Sequence, residues 1–419
     1  MKTNSFRLLY LFFAFFTTIS ASAQPSGLIA SYGNKGVSSQ EFYNEVESGF
    51  IQSDGKLLVL TGGVYVRKLV LRRLLADGTG DNDFGDQSRV SISHQNFSFS
   101  GQIQVLVQDD QKILVGASFT DENNYGSIML IRYSARGQLD KSFGNNGVYV
   151  YRFGSFSSSF TEMLLQPDGK IVLAGNVNIP GQFASNATIL RVTADGRTDE
   201  RFQNHILEEL NLVYSASSCI SRQSDGKLVI AGKGTNAGQP DMLIFRLHAD
   251  GKLDKQFNQT GVFTYNPRIP KSTNSFNSLS DIAVLNDGRI LAVGAVYGDT
   301  TRATMIMLRA DGKLDPSFNN RGTAIIGSGT FYSMHSIAMD AKGQVYIGAT
   351  KRPKANNEAF IFRLANTPDL RDASFYNKQF HWQDEDETTV SQLLLQDDRL
   401  YILGKAQYHG AVGALMIPD

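Results

Sequence analysis

The feature that most constrains this chain is a phrase it repeats. "QSDGKLLVLTG", "QDDQKILVGA", "QPDGKIVLAG", "QSDGKLVIAG", "LNDGRILAVG", "DAKGQVYIGA" and "QDDRLYILG" align on Lys56, Lys112, Lys170, Lys227, Arg289, Gln344 and Arg399. The spacing of roughly 55 to 60 residues is that of propeller blades. A second phrase alternates with the first: "RLLADGTGDNDFG", "RYSARGQLDKSFGNNG", "RVTADGRTDERF", "RLHADGKLDKQFNQTG", "RADGKLDPSFNNRG" and "RLANTPDLRDASF". Each repeat thus offers four strands: one into the Asp-Gly, an apolar run ending in Gly, one ending at the recurring Arg, and one carrying the Phe. Asp-Gly between apolar runs predicts tight two-residue hairpins. A lone four-stranded meander cannot bury both faces, whereas copies stacked around an axis can. The expected fold is all-β: a seven-bladed β-propeller of four-stranded antiparallel blades.

Closure sharpens that expectation, because a propeller must join its last blade to its first to remove exposed sheet edges. The seventh repeat stops at "GALMIPD", the equivalent of a third strand. "SYGNKGV", Ser31 to Val37, resembles "SFGNNGV" at Ser142 to Val148, and it supplies the missing fourth strand from the N-terminal end.

Two phrases recurring in that order resemble the delta-60 repeat, a β-propeller repeat of bacterial exported proteins. The resemblance runs over nearly the whole chain after residue 23 and departs from the pattern at "DAKGQ", at "RLANTPDLRD" and in the truncated seventh repeat. It implies a folding signature and carries no catalytic residues.

The charged positions within the repeats are expected to be structural. Arg73, Arg132, Arg191, Arg246, Arg309 and Arg363 are read as ending third strands. Asp81, Asp140, Asp199, Asp254, Asp315 and Asp372 each precede the strand-four aromatic by three residues. The expectation is an Arg–Asp salt bridge in each of six blades. In the closing blade Ile417 is read at the Arg position and Ile29 at the Asp position.

Lys2 and Arg7 precede the apolar run "LLYLFFAFF", and "ASA" ends at Ala23, the pattern of a secretory signal over residues 1–23. The expectation is an exported protein, periplasmic or secreted, starting at Gln24 and formed by a single propeller domain over residues 24–419. No further segment is long and apolar enough to span a bilayer. Lys plus Arg equals Asp plus Glu at 40 each, so no overall field favours nucleic acid or an anionic membrane. Cys219 is the one cysteine, which excludes an internal disulfide and reads as a small buried side chain.

Function is sought in what does not repeat. The strand 1–2 and 3–4 turns share one face, and the long strand 2–3 and blade-to-blade connections share the other, where binding residues are expected. Tyr65, Phe119, Tyr125, Phe183, Tyr297, Trp382 and Tyr408 place aromatics there among Asn, Ser, Gly and Thr, a mixture suited to stacking on a sugar or peptide. Packing of loops onto blade tops is the structural alternative for the same rings. The acidic run Asp384 to Glu387 after Trp382 reads as a solvated loop, because adjacent carboxylates point apart. His94, His205, His248, His335, His381 and His409 make no metal-ligand spacing. No cofactor or metal is expected, and the chain is read as a monomeric binding scaffold for a glycan or protein, not an enzyme. The competing reading is a carbohydrate-active propeller enzyme with carboxylates at the axis, for which Glu45, Glu47, Glu162 and Asp281 are the inward candidates.

Overall fold

The computed structural model describes residues 28–417 apart from 30, 35–36, 39–41, 43, 63–65, 94–96, 124, 154–155, 179–184, 203–204, 207–209, 211, 236–240, 268–275, 299–300, 320, 327–330, 353–356, 365–377, 381–387 and 407–408. The strands form seven four-stranded antiparallel sheets. Blades 1 to 6 cover residues 46–93, 97–151, 157–206, 214–265, 276–326 and 331–380, and blade 7 covers 388–416. Val37–Ser38 completes blade 7, with Val37 opposite Gly413 and Ser38 opposite Val412. The first strand of each blade touches the first strands of its neighbours, and that of blade 7 touches that of blade 1. These seven strands surround the axis and the ring is closed.

The Asp-Gly turns correct the expected hairpin type. In blade 3 the Gln166 N–H donates to Lys170 O at 2.8 Å and the Gly169 N–H to Gln166 O at 2.9 Å, which leaves a three-residue loop. Gly169 has φ +78, whereas Asp168 is not left-handed. A two-residue I′ loop needs positive φ twice, so this is the type I turn followed by one left-handed residue. Asp168 Oδ1 accepts the Lys170 N–H at 3.2 Å, which explains the Asp.

Second and third strands lie between blades, and their side chains are buried almost without interruption, as in Leu57–Thr61 and Ser127–Tyr133. Each apolar cluster joins neighbours: Leu58 and Leu71 of blade 1 pack with Val105 and Val115 of blade 2. Every first strand carries a bulge, and in blades 1, 3, 4, 5, 6 and 7 the register shifts by one residue at Val46/Ser48, Phe160/Glu162, Ser217/Cys219, Leu279/Asp281, Met334/Ser336 and Val390/Gln392. Blade 2 shifts between Phe99 and Ile103. The bulge accounts for the recurring Gly that closes the apolar run of the first phrase. A Cβ on Gly232 would collide with the Ala216 carbonyl oxygen, and one on Gly404 with that of Thr389.

Candidate functional site

On the tight-turn face the recurring Arg and Asp meet at the rim of the barrel of blades. Arg73 Nε lies 2.8 Å from Asp81 Oδ2, and the equivalent distance is 2.9 Å for Arg132–Asp140, Arg191–Asp199 and Arg246–Asp254. The same guanidinium does a second job. Its Nη1 donates to a backbone carbonyl in the next blade: Arg73 to Ala135, Arg132 to Ala194, Arg191 to Ala249 and Arg246 to Ala310, at 2.5 to 2.8 Å. Each also covers the recurring Phe ring, which lies in the turn before the fourth strand and not in the strand as expected, with Arg246 Cζ 4.8 Å from the Phe257 centroid. The recurring Lys closes the cluster, and Lys227 Nζ is 3.6 Å from Asp254 Oδ2. Burial alone would raise the Asp254 carboxyl, but the Gln256 N–H and then the Arg246 charge outweigh it and hold it below its ordinary range.

Blades 5 and 7 depart from this scheme. Arg309 does not face Asp315; it lies 3.5 Å from Asp311 on the exposed turn. The third-strand position belongs to Met307, which pairs with Leu291 as Arg246 pairs with Val229. Arg289, at the Lys position, reaches Asp315 Oδ2 at 3.4 Å instead. In blade 7, Ala414 rather than Ile417 holds the Arg position, since it lies opposite Tyr401 and accepts the Ile29 N–H at 2.8 Å. Ile29 does occupy the Asp position. Arg399 again substitutes from the second strand, its Nη1 donating to Ala76 O of blade 1 at 2.8 Å. Arg363 lies opposite Tyr346, and Asp372 lies outside the described residues.

The axis carries a second set of ties that the sequence does not announce. The residue just after the bulge is Ser48, Glu162, Cys219, Asp281, Ser336 or Gln392, and Gln104 holds the equivalent register position in blade 2. Ser48 Oγ accepts the Val105 N–H of the next blade at 3.1 Å, and Gln104 Oε1 accepts that of Met163 at 2.6 Å. Glu162 Oε2 accepts from Ile220 at 2.7 Å, Asp281 Oδ2 from Ile337 at 2.6 Å, Ser336 Oγ from Leu393 at 3.1 Å and Gln392 Oε1 from Gly49 at 2.7 Å. Six of the seven junctions therefore carry the same bond. At the junction after Cys219 the Ile282 N–H turns to Asp281 Oδ1 of its own blade, at 2.7 Å.

This arrangement uses two of the inward carboxylates for architecture. Burial, then the charge of Asp281, pushes the Glu162 carboxyl up. Burial pushes Asp281 up as well, against the N–H bonds it accepts from Ile337 and Ile282. Between them Cys219 is buried, and burial followed by the Asp281 and Glu162 charges raises its thiol. A raised thiol is a poor nucleophile. Nearer the long-loop end, Glu45 Oε1 accepts hydroxyl bonds from Ser391 at 2.9 Å and Thr389 at 3.3 Å. Burial, then Glu45, raises Glu47 to about 7. His335, bonded to Ser333 Oγ at 2.8 Å, is lowered to about 4 by burial and then by Arg352.

Three of the seven aromatic candidates on the long-loop face are described. Phe119 is buried within the core between blades 1 and 2, so it packs rather than presents a ring. Tyr125 is 46% exposed and Tyr297 41% exposed. Tyr125 stands on a built support: Arg152 Cζ lies 5.5 Å from its ring centroid, Arg152 Nη2 donates to Asp121 Oδ2 at 2.7 Å and Nε to Ser127 Oγ at 2.9 Å. Asp121 Oδ1 also accepts the Tyr125 N–H at 2.9 Å. Arg152 was not singled out by sequence, since it stands in a blade-to-blade connection with no repeat partner. Tyr65, Phe183, Trp382 and Tyr408 lie outside the described residues. No cluster of metal-ligating side chains occurs among the described residues, and no helix there is long and apolar enough to cross a membrane.

Fold, ties and turn chemistry define a β-propeller repeat protein. Five segments, residues 52–84, 108–143, 166–202, 223–257 and 285–318, match the family model described as a domain of unknown function (DUF5122) beta-propeller. Comparison with curated proteins finds no match. Among solved structures, a protein of unknown function from Dyadobacter fermentans is 10% identical over 78% of this chain and 96% of its own, with a TM-score of 0.50. The polysaccharide lyase Uly1 is 11% identical over 95% of this chain and 96% of its own, also at 0.50. Extracellular domains 1-2 of Drosophila Semaphorin 1a reach 0.46 at 11% identity, over 92% of this chain and 89% of theirs. At such identities the likeness is one of fold.

Proposed function

We propose that the protein is an exported, monomeric propeller of the delta-60 repeat type that binds a glycan or protein on its long-loop face. The observation that carries this reading is the Tyr125 support. An exposed ring clamped from behind by Arg152, itself held by Asp121 and Ser127, has already lost the freedom that a stacking contact would otherwise cost. The repeated face offers no such feature in its recurring residues, because its guanidinium and carboxylate groups are spent on joining blades. Tyr297 adds a second exposed ring on the same face.

The test is a glycan and peptide array probed with the chain from Gln24 and with Y125A/Y297A. Selective binding lost in the variant is the expected result. Absence of binding by either protein, or equal binding by both, overturns the reading. Export is checked by N-terminal sequencing of protein recovered outside the cytoplasm, with Gln24 expected first. The enzyme reading retains one observation in its favour, the Glu47 carboxyl raised to about 7 beside Glu45 near the axis. New ends released from a polysaccharide by the wild type and not by E47Q would move the assignment there.

A further inference from the structure

One junction on the tight-turn face is unlike the others. Between blades 1 and 2 lies a cleft of about 440 Å³ lined in part by Asp83, Asp86, Arg89, Arg136 and Gln138. Two of these positions break the repeat. Arg136 stands where the sister turns have Asp77, Asp195, Asp250 and Asp311, and Arg89 stands where sister strands have Val148, Val262 and Thr323. The sister Asp serves its own turn, as when Asp250 Oδ1 accepts the Lys252 N–H at 3.1 Å. Here Ser134 Oγ takes over, accepting from Gln138 N–H at 3.2 Å, so the turn no longer needs residue 136.

The backbone around the cleft is fixed. Gly85 N–H donates to Arg136 O at 3.0 Å across the blade boundary. Gln87 and Ser88 are both left-handed, with φ 51 and 63, where blade 2 has Asn146 and Gly147. A side chain at Gly147 would strike Leu139, but the blade 1 counterpart of that leucine is Gly80, which leaves room for Ser88. Two consecutive non-glycine residues in this conformation hold strain of the kind that gathers at binding sites. Among the described residues neither Arg89 nor Arg136 has an ion pair, and the Asp83 and Asp86 carboxylates also lack one.

We propose that this cleft binds a carboxylated sugar. Two free guanidinium groups offer paired donors to a carboxylate. Two free carboxylates beside them disfavour a bare anion but accept hydroxyl hydrogens, so the mixture fits a ligand carrying one carboxylate on a polyhydroxylated ring. The site lies on the opposite face from the aromatic support and does not depend on it.

The test titrates the full mature chain with glucuronate, following the amide NMR signals of Gly85 and Arg136, with glucose and inorganic phosphate as comparators. Saturable shifts with glucuronate alone are expected. R89V and R136D, which install the residues of sister repeats, should each keep the melting temperature and weaken glucuronate binding about tenfold or more, the loss of one charge-assisted contact. No saturable shift, equal affinity for glucose or phosphate, or undiminished binding by both variants overturns the proposal.

Discussion

The blades are tied to one another twice, at the tight-turn rim and at the axis, and the two ties are built on different rules. At the rim, blades 1 to 4 use the same Arg, Asp and Lys, with the guanidinium reaching both its own carboxylate and the next blade's carbonyl. At the axis, the equivalent position in six of the seven blades is filled by serine, glutamine, glutamate or aspartate, all accepting the same N–H. The rim repeats a residue and the axis repeats a geometry. An N–H needs only an oxygen within reach, whereas a buried carboxylate needs a cation. That difference in demand sets how far each position can vary.

The largest expected effect tests the rim. Asp254 is fully buried, so R246A would strip its closest cation, the Ala310 carbonyl contact and the Phe257 cover together. The expected loss is about 3 kcal/mol in chemical denaturation, while R309A, on an exposed turn, should stay within about 0.5 kcal/mol. A comparable loss in R309A would erase the distinction between tie and turn. Adding M307R should then be tolerated in blade 5, because the strand register already points that position at Asp315.

Titration separates the two ties by sign. Rim carboxylates such as Asp254 are held low, so the stability they contribute is present above the ordinary carboxylate range and lost as pH falls through their lowered values. Axial Glu162 and Asp281 are held high. Their contribution is full below the ordinary carboxylate range and is lost as pH rises through neutrality. The free energy of unfolding should therefore fall between about pH 5 and about pH 9, by an amount on the order of 1–3 kcal/mol, and E162Q should flatten that fall while keeping its amide oxygen as acceptor. A wild-type curve as flat as that of E162Q over this range would show that the axial carboxyls ionise without cost.

The same contrast explains what could be read from the chain. Seven blades and the closing role of Ser31 to Val37 were legible because Asp-Gly turns and apolar runs recur by residue name. The pairing of Arg309 was misread for the same reason: matching Arg with Arg hid the fact that strand alternation sets Met307, not Arg309, opposite Leu291. Ile417 was misplaced likewise, three residues beyond the Ala414 that the register selects. The axial acceptors share no identity, so nothing in the pattern joined Ser48 to Gln392. The cleft arginines were hidden too, since departures from a repeat carry meaning only once their neighbours across the blade boundary are known.

The smallest expected effect concerns the gap in the axial set. Cys219 occupies an acceptor position, but its sulfur sits 3.9 Å from the Ala231 carbonyl and takes no N–H from blade 5. Asp281 compensates by accepting from both Ile282 and Ile337. Blades 1 and 6 place serine at the equivalent point, where its hydroxyl accepts from the next blade. C219S should accordingly gain about 0.5–1 kcal/mol by supplying the absent bond, and C219A should lose stability by leaving a small void. If serine and alanine were equally destabilising, the oxygen would not be reaching Ile282, and blade 4 would be joined to blade 5 by apolar packing with no axial bond at all. A gain confined to serine would instead mean that the geometry after the bulge is already set by the backbone, and that the side chain placed there only completes it.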